Sequence, residues 1–315
     1  MPLFDRKFRK ELFSKNFDIV HIHSPFFVSR LGVKYAKTHK IPLVATLHSQ
    51  YKKDFLTATK SKILSNLLLK NAMKPFNKCT ECWAVNNGIK RLFTEEYKLT
   101  APCNVQSNAT DMLTVEKNTA YQFIKENYGI EEDKNVLLFS GRINSLKNVF
   151  FIVESLKKVY DAGIDFTMLF LGSGPDEKKL EEKIKELGLE NNVRLLGRIN
   201  DRKSLAMFYR RAQLFLFPSK YDASSLVQIE AASQYTPTVF LEGTITSETA
   251  IDGVSGIITK DCTEDFADKI IYALKNPDYL NKLSNGAYEH MYLTWDEVVK
   301  SAYDRYCSLI EQNQK

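Results

Sequence analysis

Short runs of aliphatic, β-branched and aromatic residues alternate along this chain with segments whose apolar positions recur at helical spacing. The runs at 18–23, 42–47, 82–85, 135–140, 166–171, 193–196, 213–217 and 236–241 read as strands. Two of them, VLLF at 136–139 and LFLF at 214–217, are apolar without alternation, the pattern of strands covered by helices on both faces. The clearest helix is predicted over 176–187, with Leu180, Ile184 and Leu187 at i, i+4 and i+7. Pro175 stands at its start, where a first-turn proline belongs, and Gly188 at its end as a cap. Strands alternating with helices in this way imply an α/β class with mainly parallel sheets.

A polar stretch between Asn108 and Lys134 separates two such series. It divides the chain into 1–133, 134–291 and a terminal amphipathic helix within 292–315 that contains Trp295. A length of 315 residues suits two domains. With 44% apolar and 26% charged residues, the composition is that of a globular protein whose core needs no staple.

The formal charge of +6 fits an anionic ligand such as a nucleotide diphosphate, or an anionic membrane surface. No nucleic-acid motif accompanies it, so no nucleic-acid partner is expected. The five cysteines, Cys79, Cys82, Cys103, Cys262 and Cys307, are odd in number and scattered, which points to a reducing cytosol. The CxxC pair Cys79/Cys82 has no second pair to complete a zinc site and reads as a helix–strand junction. The N-terminal residues lack the apolar core of a signal peptide, and no apolar stretch approaches the roughly 18–20 residues of a membrane span. A cytoplasmic location is expected, with peripheral contact at the inner face of the membrane as an option.

Four places carry candidate chemistry. In FSGRINSLK (139–147) a strand ends in Gly141, and Arg142 and Lys147 stand five positions apart ahead of a helix starting near Asn148. Strand ends feeding helix N-termini bind ligands in open α/β sheets, and two cations there suit a diphosphate. The alternative is a solvated basic turn. In FPSKYDASSLVQIEAA (217–232) another strand runs through a loop into a helix. Ser225 and Gln228 have capping-box spacing, and Asp222 and Glu230 can face one crevice. A carboxylate there can accept hydrogen bonds from vicinal ribose hydroxyls. Glu230 sits in an otherwise apolar stretch, where a carboxylate needs a partner, which favours this reading over that of a surface helix glutamate. FLGSGP (170–175) brings Gly172 and Gly174, whose missing Cβ atoms allow backbone to approach a ligand, and VRLLGRI (193–199) closes a strand with Gly197 and Arg198. In the N-terminal half, His48 follows the strand at 42–47, and His21 and His23 share one face of the strand at 18–23. With no carboxylate or cysteine beside them, this pair reads as packed histidine rather than as a metal site.

Taken in order, DIVHIHSP, VATLHSQY, FSGRINSLK, FLGSGP, VRLLGRI, FPSKYDASSLVQIEAA and EGTITSETAIDGVSGII resemble the retaining glycosyltransferases of family 4, over roughly residues 17–300. The resemblance implies the GT-B fold, two facing Rossmann-like domains with the donor held mainly by the C-terminal one, and a C-terminal helix packing back toward the N-terminal domain. It implies transfer of a hexose or N-acetylhexosamine from a nucleotide sugar, a UDP- or GDP-sugar, to a surface-polysaccharide or lipid-linked glycan acceptor. No metal or other cofactor is implied. Arg142 and Lys147 would hold the diphosphate and Glu230 the ribose. Gly141, Gly172, Gly174, Arg198, Ser225 and Leu226 would complete the donor site. Asp222 and His48 would act at the sugar.

The chain departs from the family pattern in three ways. Asp222 replaces a glutamate, and Ser224-Ser225 replace Phe-Gly. The sequence also opens just before DIVHIHSP, where the family has a first strand and a glycine-rich loop. That last departure and the altered acidic loop together carry a second expectation: a non-catalytic glycosyltransferase-like subunit that stabilises a partner enzyme. A sugar-nucleotide epimerase on the same fold is a third. Finally, residues 59–78 interleave Lys60, Lys62, Lys70, Lys74 and Lys78 with Ile63, Leu64, Leu67 and Leu68. They read either as a basic amphipathic helix lying on an anionic bilayer, or as a core helix with a solvated lysine face.

Overall fold

The computed structural model describes residues 5–314. Its elements, in chain order, begin with α1 (Arg6–Phe13), β1 (Val20–Ile22), α2 (Phe27–His39), β2 (Leu43–Leu47), α3 (Tyr51–Thr59), α4 (Lys62–Phe76), β3 (Glu81–Ala84), α5 (Asn87–Arg91) and β4 (Cys103–Val105). They continue with α6 (Lys117–Tyr128), β5 (Asn135–Ser140), α7 (Val149–Asp161), β6 (Phe166–Leu171), α8 (Glu177–Glu186), β7 (Val193–Leu195), α9 (Arg202–Arg211) and β8 (Leu214–Leu216). The last are α10 (Leu226–Ser233), β9 (Thr238–Leu241), β10 (Gly256–Thr259), α11 (Thr263–Lys275), α12 (Pro277–Met291) and α13 (Trp295–Gln314).

The chain forms two compact units, one of Met1–Asn108 with Asp296–Lys315, the other of Ala109–Trp295. The division thus falls ahead of the 133/134 boundary read from the sequence. The reason is α6, which packs on α9 of the second unit. Tyr128 meets Phe208 edge-on at 4.8 Å, and Arg194 donates to the Tyr128 carbonyl. The buried Arg211 donates to the carbonyls of Glu131 and Lys134 just beyond.

In the first unit four parallel strands run in the order β1-β2-β3-β4. α13 is fastened to this sheet: Leu309 packs with Val44 and Trp83, and Tyr306 stacks on Trp83 at 4.9 Å. Arg305 donates through Nε to Glu81 Oε1 at 3.0 Å, and Glu81 is 2% exposed. Burial raises the Glu81 carboxyl, but hydrogen bonds from Arg305, Trp83 and Asn104 outweigh it and leave its pKa below the ordinary value.

The second unit holds six parallel strands in the order β10-β9-β8-β5-β6-β7. The chain moves outward from β5 to β7, then returns to lay β8 on the other side of β5. The switch point between β5 and β8 is where such sheets leave a crevice at their carboxyl edge. The strands are apolar because helices cover both faces: Leu137, Leu138, Leu169 and Phe215 are wholly buried. α7 contributes Val149, Ile152, Val153, Leu156 and Val159 to this core, each buried aliphatic side chain stabilising by roughly 1.5–3 kcal/mol.

Several local expectations change. β4 and β10 have no counterpart among the strands read from the sequence. β4 is three residues long and largely exposed, so only its pairing, Cys82 with Cys103, defines it. Asp176 stands at the N-cap position of α8, its carboxylate accepting from the Ser145 N–H, which leaves Pro175 outside the helix. The segment 59–78 holds the single helix α4, which is separated from the end of α3 by a break at Lys60, whose φ of 51° is left-handed. Cys79 and Cys82 are buried thiols at the α4–β3 junction.

Candidate active site

The crevice of the second unit is built from three loops at the carboxyl ends of β5, β6 and β7. Backbone hydrogen bonds zip them together: Gly141 N–H donates to Leu171, Ile143 N–H to Ser173 at 3.2 Å, and Gly172 N–H to Gly197 at 2.7 Å. This contact explains two glycines. A Cβ on Gly172 would lie 1.9 Å from the Gly141 carbonyl oxygen, and one on Gly174 would lie 2.0 Å from that of Ile143. Their small size lets the neighbouring loop close in, a role distinct from the ligand approach read from the sequence. A cavity of about 560 Å³ opens beside these loops, lined by Gly141, Arg142, Gly172, Gly174 and Arg198 together with Asn200. Arg198 is steered there by a 2.7 Å hydrogen bond from its Nε to Ser173 Oγ.

Lys147 ends a short 3-10 turn that Asn144 caps through its side chain. Asn148 follows in the left-handed conformation at φ 61°, so α7 starts at Val149. Lys147 Nζ reaches the loop after β8 and donates to both carboxylate oxygens of Asp222, at 2.6 and 2.7 Å. It also lies 5.5 Å from the centre of the Phe217 ring. The structure thus brings together two residues that sequence reasoning assigned to different parts of the donor. The remaining cation, Arg142, is exposed at the cavity wall.

Glu230 lies in the second turn of α10 and is 7% exposed. Arg202 Nη1 donates to it at 3.3 Å, and the buried Tyr209 hydroxyl donates at 3.4 Å. Burial raises its pKa, opposed by the Arg202 charge. Arg202 also holds Asp111 and Thr110. Neither Arg202 nor Tyr209 carried a signal in the sequence, since both lie on α9 and meet Glu230 only through packing. The capping box at Ser225 does not form. Gln228 is turned into the core at 1% exposure, its Oε1 without a protein partner, and Ser225 caps no amide through its side chain. The N-terminus of α10 thus has no side-chain cap, although the Gln228 N–H donates to the Ser225 carbonyl at 3.4 Å, and Leu226 is exposed beside it.

In the first unit His48 follows β2 and His23 follows β1, both at the carboxyl edge. Their rings stack at 5.5 Å, and His23 Nδ1 and His48 Nε2 share a hydrogen bond of 3.2 Å. His21 is packed instead: Nε2 meets Thr46 Oγ1 at 2.7 Å and Nδ1 meets the Tyr306 hydroxyl. Burial lowers its pKa to about 3, with the neighbouring His23 and His48 charges adding to the effect. Among the described residues, no group of three His, Cys, Asp or Glu side chains could hold a metal ion.

A doubly wound sheet with cationic loops and a buried acid near its switch point, in a chain that also forms a second parallel-sheet unit, is the architecture of the GT-B sugar-transfer enzymes. The chain belongs to the family described as glycosyl transferases group 1, whose model matches residues 121–290, while that of glycosyltransferase family 4 matches 1–112. It is a glycosyltransferase. Alpha-monoglucosyldiacylglycerol synthase of Acholeplasma laidlawii is 25% identical over 328 residues, spanning 100% of this chain and 81% of that one. N-acetyl-alpha-D-glucosaminyl L-malate synthase of Bacillus anthracis is 25% identical over 297 residues, covering 92% and 74%. Among solved structures, Anabaena Alr3699/HepE in complex with UDP superposes with a TM-score of 0.81 at 17% identity, over 96% of this chain and 81% of that one.

Proposed function

We propose that this enzyme transfers a hexose or N-acetylhexosamine, with retention, from a UDP- or GDP-sugar to a lipid or glycan acceptor. The observation that carries the proposal is the crevice at the β5–β8 switch point. Cations from two loops gather there: Arg142 and Arg198 line the cavity, Lys147 reaches across to Asp222 in the loop ahead of α10, and Glu230 is buried in the second turn of that helix. Glu230 accepts from the ribose hydroxyls, and Arg142 and Lys147 hold the diphosphate. Lys147 is held by Asp222 until the phosphates compete for it, which frees Asp222 toward the sugar. When the anomeric C–O bond breaks, negative charge grows on the departing diphosphate, and these preorganised cations stabilise it without a metal. The acceptor hydroxyl forms the new bond on the same face and passes its proton to the departing diphosphate oxygen.

The names of the relatives support this reading. Both of these relatives carry an α-glycoside in their names, and since UDP-hexoses are α-linked, an α-product means retention. One is named for a glucosylated diacylglycerol, which favours a lipid among the acceptors.

Thermal stabilisation by a panel of UDP-, GDP- and ADP-sugars tests the donor site. A ligand at about 100 times its dissociation constant adds roughly 2.7 kcal/mol. We expect one nucleotide class to shift the melt, and Arg142→Ala and Glu230→Ala each to abolish that shift. A folded protein that no nucleotide sugar stabilises would refute the proposal.

A further inference from the structure

The first unit differs from the second in charge. It carries 22 Lys and Arg against 11 Asp and Glu, a formal +11, whereas the second carries 22 against 27. The excess is concentrated further. Residues 6–78 hold 16 cations and only three carboxylates, Glu11, Asp18 and Asp54. The fold gathers many of these on one side of the sheet. Arg30 of α2 donates to Asn71 of α4 at 3.1 Å, so the two helices lie side by side. α2 leads into β2 and α4 into β3, and these strands are parallel, so the helices also run parallel. Toward their C-terminal ends a cleft of about 660 Å³ is lined by Arg30, Lys34, Lys37, Lys40 and Lys78, with no carboxylate in its wall. α1 lies beside it, adding Arg6, Arg9 and Lys10 around Lys34.

Toward the N-terminal ends of the same helices the surface turns apolar. Phe27, one turn before Arg30, is level with Leu67, one turn before Asn71. Ile63 is 85% exposed, Leu67 62% and Phe27 52%, and Phe26, Leu56 and Leu64 are exposed with them. The inward face of α4 already supplies Leu69, Met73 and Phe76 to the core. The outward leucines and isoleucine are therefore surplus to folding, on a helix that also displays Lys62, Lys70 and Lys74.

We propose that this side of the first unit is a docking surface for an anionic lipid bilayer. The tip formed by Phe26, Phe27, Ile63, Leu64 and Leu67 enters the headgroup–acyl boundary, and the cationic cleft and α1 rest on the anionic headgroups. Apolar residues flanked by spread cations match the two layers of a bilayer surface. A single acidic protein partner would have to supply anions over the whole of α1, α2 and α4. The proposal does not depend on the identity of the sugar donor.

Flotation of the full chain with vesicles of phosphatidylcholine alone, and of phosphatidylcholine with phosphatidylglycerol in equal parts, tests it. Binding is expected only to the second, weakened by salt. Lys34→Glu/Lys37→Glu should weaken it by well over tenfold, since each cation lost costs roughly fivefold. Ile63→Ser/Leu67→Ser should also weaken it about tenfold or more, because it removes exposed apolar area that costs the fold nothing. The control Lys185→Glu/Lys282→Glu on the second unit, with the same change in charge, should have little effect. Binding that follows net charge alone, untouched by the serine variants, would show electrostatic adsorption without apolar insertion and overturn the proposal; so would no binding by the wild type. Thermal stabilisation by the donor sugars, measured on the same variants, reports the donor site separately, so either reading can fail alone.

Discussion

Replacing Glu230 by glutamine should move stability and donor binding in opposite directions. Glu230 is buried, and its folded pKa is raised above the unfolded value by that burial, against the pull of Arg202. A carboxyl with a raised folded pKa contributes stability below its unfolded pKa and loses it as pH rises through the folded value. At neutral pH the ionised side chain is thus a cost to the fold. Glutamine keeps the shape and can still accept from Tyr209, while Arg202, half exposed, keeps Asp111. Relief of such a functional group is worth about 0.5–2 kcal/mol, and each kcal/mol raises the melting temperature by roughly 2–4 °C in a unit of this size. The gain should vanish in acid, where the native carboxyl is itself protonated. Donor binding should weaken instead. Exchanging a charged acceptor for an amide at the ribose forfeits roughly 1.5–3 kcal/mol, about 10- to 150-fold in affinity. Calorimetric melts across pH, with titration of the nucleotide that stabilises the wild type, read both effects. A variant that melts lower than wild type and binds nucleotide equally well would make Glu230 a structural residue and refute the argument.

Gly174→Ala should cost roughly 1–3 kcal/mol or more and weaken donor binding, since a Cβ 2.0 Å from the Ile143 carbonyl oxygen pushes away the loop that carries Arg142 and Lys147. Gly163→Ala, with nothing near its Cβ, should cost only the roughly 1–2 kcal/mol of left-handed strain and leave binding intact; equal effects in the two variants would refute the packing role. Arg305→Ala leaves the buried Glu81 short of its cation and should destabilise at the lower end of roughly 3–5 kcal/mol, Arg305 being itself part exposed. Denaturant unfolding followed by Trp83 fluorescence measures this, and a loss under about 1 kcal/mol would show that α13 is held by its apolar contacts alone. His21 stays neutral in the folded state down to about pH 3, whereas the unfolded chain takes up the proton below about pH 6.5. Its contribution is therefore intact above that range and lost at about 1.4 kcal/mol per pH unit as pH falls through it. His21→Gln should flatten this part of the urea-midpoint profile, and an unchanged slope would exclude His21 as its source.

By itself the sequence determined the elements whose character is local. The strands at Asn135–Ser140 and Phe166–Leu171 fall where their apolar runs predict, because a strand covered on both faces has no polar side to present. The glycine–arginine–lysine segment after β5, and the acidic loop and helix after β8, were legible because strand ends that feed helix N-termini keep their order along the chain. Tertiary structure alone decided what these residues touch. It laid β8 beside β5, and so set Asp222 on Lys147 across 75 positions of sequence. It brought Arg202 and Tyr209 of α9 to Glu230, and turned Gln228 away from the cap that its spacing suggested. It gave Gly172 and Gly174 to loop-on-loop packing. It also sorted the leucines of α4 into those the core takes and those it leaves in solvent, a division that depends on the neighbours a helix meets and not on its own periodicity.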